Sequence, residues 1–156
     1  MIVEREVIGW REWIALPDLG VPWLKAKVDT GARTSALHAE ELERLELDGR
    51  PALRFTLFPE QRSRAGAIVA TAPLIDERYI TSSNGSRQLR PVIQTLLEIG
   101  GQRWEIELTL SSRDVMGFRM LLGRQAVRRR CLVDPGASFL TRQRKARPKR
   151  RRPAPR

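Results

Sequence analysis

A small all-β domain, closed or sandwich-like, is the fold the sequence predicts. Three observations carry it. Short apolar runs with period-2 alternation recur through residues 1–140. Asp48-Gly49 and Gly100-Gly101 each sit between two such runs, as hairpin turns do. Only one stretch, Arg124 to Arg130, reads as a short helix.

The elements follow in order. Val7 to Leu16 is apolar with interspersed charges and ends at a Pro17-Asp18-Leu19-Gly20 turn. Trp23 to Val28 alternates, with Leu24, Ala26 and Val28 on one face. Glu43 to Leu47 and Ala52 to Phe58 form the first hairpin, and Ile68 to Ala72 is rich in strand formers. Arg78 to Thr81 runs into Ser82-Ser83-Asn84-Gly85-Ser86, turn chemistry suited to a loop tip. Pro91 to Ile99 and Gln102 to Leu110 form the second hairpin. In its second strand Trp104, Ile106, Leu108 and Leu110 alternate with Glu105, Glu107 and Thr109. Phe118 to Leu122 is an apolar run ending at Gly123. Cys131 to Val133 and Ser138 to Leu140 flank a Pro135-Gly136 turn.

Charge divides the chain in two. The 156 residues carry a formal charge of +11, and nine Lys or Arg fall within residues 141–156, which hold no acid. Residues 1–140 hold the other 20 basic and all 18 acidic groups, a balance of +2. The expected organisation is therefore one domain over residues 1–140 and a disordered basic tail over 141–156, since such a segment buries too little to offset its ordering entropy. The tail suits weak contact with nucleic acid or another polyanion, but it has no aromatic ring to stack on bases.

Cys131 and His38 are the single cysteine and histidine. An internal disulfide is impossible, and a four-ligand Cys/His zinc site lacks ligands. No cofactor is expected, because neither an HExxH helix nor a GxxxxGK[ST] phosphate loop occurs. Glu4, Arg5 and Glu6 interrupt the stretch a signal peptide needs, and no run spans a membrane, so a cytoplasmic location with no membrane partner is expected.

The sharpest chemical feature is Val28-Asp29-Thr30-Gly31-Ala32, which follows an alternating strand. A carboxylate at a strand end, with Thr30 able to bond the backbone and Gly31 permitting close approach, can present an acid on a tight loop. Alone, the triplet also fits an ordinary turn. Met120-Leu121-Leu122-Gly123-Arg124 would lay a second strand beneath that loop. Together the two motifs resemble a retropepsin-like aspartic protease, whose flap hairpin falls where Ser82 to Ser86 lies. The resemblance is closer still to a bacterial retropepsin-like family often labelled "ATP-dependent zinc protease". It is carried by Ile8-Gly9-Trp10-Arg11-Glu12, Lys25 to Ala39, Ser82 to Gly85, Arg90-Pro91-Val92, Arg113-Asp114, Met116, Phe118 to Arg124 and Leu132 to Pro135, across residues 7–140.

That resemblance implies an acid-protease barrel acting as a homodimer, with one Asp-Thr-Gly per chain. Asp29, Thr30 and Gly31 would be the catalytic loop. Two Asp29 carboxylates about 3 Å apart would share a proton and activate a water on a peptide or amide bond. Ala32, Arg33, Ser83, Asn84 and Gly85 would contact a peptide or protein substrate, the last three from the flap. An ATP-grasp peptide ligase is the implied pathway partner, and a catalytically silent peptide-binding module is the alternative. Arg33 could instead pair with Glu40 or Asp114, and Arg124 is expected to make structural contacts at the helix start. His38 and Cys131 read as packing residues, and the four Trp as core or interface anchors. An actin-like phosphate hairpin, which also begins Asp-Thr-Gly, needs two α/β lobes that this chain is too short to hold.

Overall fold

Among the residues described by the computed structural model, 5–81, 84–114 and 117–141, strands dominate. In chain order they are β1 (Glu6–Leu16), β2 (Val21–Asp29), β3 (Ser35–His38), β4 (Glu40–Leu47), β5 (Arg50–Leu57), β6 (Ile68–Thr81), β7 (Arg87–Ile99), β8 (Gln102–Ser111), β9 (Met120–Gly123) and β10 (Cys131–Ser138). A single helical turn, α1 (Arg124–Val127), precedes β10. No helix among these residues is long and apolar enough to cross a membrane.

Period-2 burial organises the sheet. Leu24, Ala26 and Val28 of β2 point inward, while Trp23, Lys25 and Lys27 stay half-exposed. The neighbours run β10-β1-β2-β9-β3-β8-β7-β6-β5-β4, and a further pairing of Ala15 with Glu98 joins β1 to β7. That link closes β1, β2, β9, β3, β8 and β7 into a six-stranded barrel. Ile8, Ile14, Leu16, Leu37, Leu97, Leu108, Met120 and Leu122 fill it and are essentially inaccessible. Beyond β7 the sheet continues into a three-stranded wing, β6-β5-β4, whose inner face is Leu53, Phe55, Leu57, Ala70 and Ala72.

The all-β fold expected from the sequence is observed, with both hairpins in place: Leu47 pairs with Arg50 and Ile99 with Gln102. Two local expectations are corrected, and one strand forms where no element was expected. The helix stops at Val127 rather than Arg130, because the chain must double back for Cys131 to pair with Glu6. Arg129 takes a left-handed conformation (φ 65°) to do so. Pro135-Gly136 makes no hairpin. It forms a bulge inside β10, where Asp134 to Ser138 spans the two-residue step from Gly9 to Arg11. The bulge rests on Gly9, where a Cβ would meet the Ala137 carbonyl oxygen at 2.2 Å. Finally, Ser35–His38 forms a strand, too short and too fully buried to show alternation.

One buried acid fastens the C-terminal end of the body. Glu12 is inaccessible, and its carboxylate accepts hydrogen bonds from the Gly9 N–H (2.6 Å), the Leu140 N–H (2.9 Å), the Thr141 N–H (3.1 Å) and the Thr141 hydroxyl (2.9 Å). Thr141, the first residue of the expected tail, therefore belongs to the body, and residues 142–156 lie outside the described residues. Glu12→Ala strips the partner from four donors and should cost about 2–4 kcal/mol. A lower urea midpoint with an unchanged slope measures that loss.

Candidate active site

Three chain segments build the site. β2 ends at Asp29, which lies in register with Gly123 at the end of the parallel strand β9. Strand β3 starts at Ser35 and runs antiparallel to β9, so the 30–34 loop folds over the β9 end. The loop is stitched by the backbone: Ala32 N–H donates to Asp29 C=O (3.2 Å), Arg124 N–H to Ala32 C=O (2.8 Å) and Gln125 N–H to Arg33 C=O (3.2 Å). Gly123 N–H donates to the buried Ser35 hydroxyl at 3.0 Å, and the Thr109 hydroxyl donates to Ser35 C=O at 3.1 Å. Gly123 has no room for a side chain, because a Cβ there would lie 2.6 Å from the Thr34 carbonyl.

Asp29 is half-buried, and its Oδ1 accepts the Gly31 N–H at 3.0 Å. Thr30 and Gly31 are exposed at the tip. The loop is braced by the Asp29 carboxylate on the Gly31 N–H and by its backbone hydrogen bonds. The Arg124 guanidinium donates to Gly31 C=O at 3.2 Å, the structural contact expected of it.

A groove of about 880 Å³ opens beside the loop. Arg33, Thr34 and Ser35 form one wall, Arg78 to Thr81 of β6 another, and Trp104, Arg128 and Arg130 a third. Asp29 itself is not part of its lining. Arg78 is held by Asp76 and Glu107, each at 2.7 Å, and its guanidinium is pushed above its ordinary range by Glu107 first and Asp76 second. Trp104 is buried, and its indole N–H donates to Ala126 C=O at 2.8 Å. Asn84 and Gly85 occupy the β6–β7 turn, where Asn84 Oδ1 accepts the Ser86 N–H at 3.0 Å and Gly85 has φ 85°. They do not line the groove, and Ser83 lies outside the described residues.

Arg33 pairs with neither Glu40 nor Asp114. Those acids instead flank His38, which is buried at the far end of β3. His38 Nδ1 lies 2.5 Å from Asp114 Oδ1, which also accepts from Arg119 at 3.0 Å. The Arg119 guanidinium lies 2.8 Å from the same Nδ1, so the imidazole, the carboxylate and the guanidinium form one buried cluster. Buried Arg119 also donates to Glu60 C=O (3.1 Å) and Ser63 C=O (2.6 Å), tying the 58–63 segment to the start of β9. This cluster pins the ends of β3 and β9 opposite the Asp29 loop, and it was illegible in sequence because its members are 76 and 81 positions apart. Cys131 is a core thiol, pushed up to about 11 by burial, with Glu6 adding to the rise. Among the described residues no three His, Cys, Asp or Glu side chains are grouped to hold a metal ion.

A closed β-barrel presenting Asp-Thr-Gly at a strand end, crossed by an apolar-apolar-Gly strand, defines a retropepsin-like domain. The chain belongs to the RimB-like family of retropepsin-like aspartic endopeptidases, whose family model matches residues 7–144. It is 48% identical over 133 residues to a probable α-L-glutamate ligase of Shewanella pealeana and 43% identical to one of Desulfotalea psychrophila. Each match covers 85% of this chain but only 29% of the relative, so the chain spans under a third of these proteins. A crystal structure of a Legionella pneumophila protein of unknown function is similar over 89% of this chain and all of that one, with 28% identity and a TM-score of 0.77.

Proposed function

We propose that this chain is an aspartic-type peptidase that works as a homodimer, with one Asp29 from each subunit at the two-fold axis. The observation that carries the reading is the Asp29–Gly123 register beneath a backbone-stitched loop, which leaves the Asp29 carboxylate at a strand end beside the groove. One carboxylate takes a proton from water as the water oxygen forms the new C–O bond, the other, protonated, donates a hydrogen bond to the scissile carbonyl, and the first then passes its proton to the leaving nitrogen as the amide C–N bond breaks. The β6–β7 hairpin closes over the bound chain and excludes water.

The substrate class we assign is an α-linked glutamyl chain or tail. The relatives named as probable α-L-glutamate ligases carry a domain like this one within a longer polypeptide, which supports the reading that this domain acts on such a chain. The groove supports the choice, since Arg33, Arg128 and Arg130 line it as cations for side-chain carboxylates. The chain should shorten an α-linked hexaglutamate, read by product masses, and leave a γ-linked hexaglutamate intact. No new product from either peptide between about pH 3 and pH 8 would favour the second reading, a silent peptide-binding module on the same fold.

A further inference from the structure

Strand β6 parts from β7 just beyond the Leu74–Ile93 pair. On one side of the parting β6 stays with β5, where Pro73 pairs with Ala52. On the other, β7 closes the barrel, where Glu98 pairs with Ala15. A 3₁₀ turn, Pro17–Leu19, packs against both strands at this fork. A second cavity, of about 320 Å³, opens there, and Asp18, Thr71, Gln94, Thr95 and Glu105 line it. Its charge is the reverse of the groove's. Among the described residues no Lys or Arg lines it, and neither Asp18 nor Glu105 takes part in an ion pair or a side-chain hydrogen bond. The acids near Glu105 are committed elsewhere: Glu107 holds Arg78 at 2.7 Å and Glu98 holds Arg103 at 2.9 Å. Thr95 is 1% exposed, and its hydroxyl has no hydrogen-bond partner, a standing cost that an arriving donor removes. Glu105 also lines the groove, so one uncommitted carboxylate borders both spaces.

We propose that this cavity is a cation subsite of the substrate cleft, taking the Lys or Arg side chain of a residue that flanks the glutamyl run. The inference rests on the glutamyl-chain reading given above. In that reading Arg33, Arg128 and Arg130 hold side-chain carboxylates, and an uncommitted Glu105 in the same groove repels them. The repulsion becomes attraction for a chain whose charge changes sign where it passes Glu105. Asp18 supplies a second carboxylate, and the oxygens of Thr71, Gln94 and Thr95 can accept from an ammonium or guanidinium. The substrate so defined is a run of glutamates beside a basic residue. The side on which that residue falls sets the direction of the chain in the cleft.

The test follows peptide affinity and the amide NMR signals of Gln94 and Thr95 in the full chain carrying Asp29→Asn, so that peptides survive. Two peptides, acetylated and amidated, carry three lysines before or after six glutamates. Their composition is equal, so general attraction to the protein cancels between them. One order should bind about fivefold more tightly than the other, the scale of two exposed ion pairs, and that order should shift both signals. Asp18→Asn/Glu105→Gln should bring the ratio below about twofold and erase the shifts. Glu46→Gln/Asp48→Asn, the same change of charge at exposed positions that line neither cavity, should preserve both. Glu105→Gln alone replaces the first variant if thermal melting shows it unfolded. An acetylated trilysine amide at millimolar concentration should shift the same two signals without any glutamate. If hexaglutamate binds no better than hexaglutamine, the glutamyl reading fails and the trilysine shifts alone decide the cavity. Otherwise equal affinities for the two orders overturn the proposal. In either case it is overturned by trilysine causing no shift, or by shifts that survive Asp18→Asn/Glu105→Gln. A response to unacetylated hexaglutamate but not to lysine would assign the cavity to a chain terminus and overturn the side-chain assignment.

Discussion

Asp29→Asn should lower amide hydrolysis by about 10³-fold or more, since the variant cannot accept a proton from the attacking water. The fold should survive, because the Asn Oδ1 still accepts the Gly31 N–H that Asp29 takes at 3.0 Å. The sharper result comes from mixing. If every site needs two Asp29 side chains, equimolar wild-type and variant chains, allowed to exchange, leave active pairs at about one quarter of the total. Activity should fall to about a quarter of the wild-type value at the same chain concentration. A fall to only one half would mean that each chain acts alone, and the shared-site mechanism would be wrong.

Gly123→Ala should damage both stability and catalysis. Its backbone is extended (φ −81°, ψ 170°), so alanine meets no conformational penalty. The problem is space: the new methyl would sit 2.6 Å from the Thr34 carbonyl carbon and oxygen and 3.0 Å from Ala32 C=O. Both obstacles are backbone: Ala32 is tied directly to Arg124, and Thr34 is held between Arg33, tied to Gln125, and Ser35, whose hydroxyl takes the Gly123 N–H. Overpacking of this kind costs about 1–3 kcal/mol. Displacing the loop by most of an ångström should also cost about 100-fold in turnover, because Asp29 sits at its root. Gly101→Ala is the control, since nothing lies within 4 Å of its added Cβ. Equal melting temperatures for the two variants would show that the Gly123 contact is not the constraint argued above.

Strand identities were largely legible because most strands bury one face, so residues such as Leu24, Ala26 and Val28 alternate visibly with Lys25 and Lys27. Legibility failed where burial was complete or where tertiary contacts overrode local chemistry. Ser35–His38 is buried on both sides and shows no period. Pro135-Gly136 has turn chemistry, but pairing with β1 carries it through as a bulge. The Asp29 loop and its Gly123 partner could be found as motifs because close approach demands glycine. Arg33 was reached only through the resemblance, whereas Arg128 and Arg130 of the groove and the His38–Asp114–Arg119 cluster were not, since nothing local marks an arginine as facing a groove or Arg119 as buried. Of the four Trp residues only Trp104 is in the core. The other three are half-exposed on β1 and β2, a difference that composition does not reveal.

The position of β9 between β2 and β3 also dictates when the site can exist. Asp29 emerges early in the chain, yet the strand that supports it, and the Gly123 N–H that Ser35 receives, come from beyond residue 119. Contacts of such long sequence separation form late and slowly, because the intervening loop must close first. A growing or nicked chain lacking residues 120–124 therefore holds Asp29 as a surface carboxylate with no floor beneath it. The site proposed for this acid is therefore complete only when the barrel has shut, which makes its assembly and complete folding a single event.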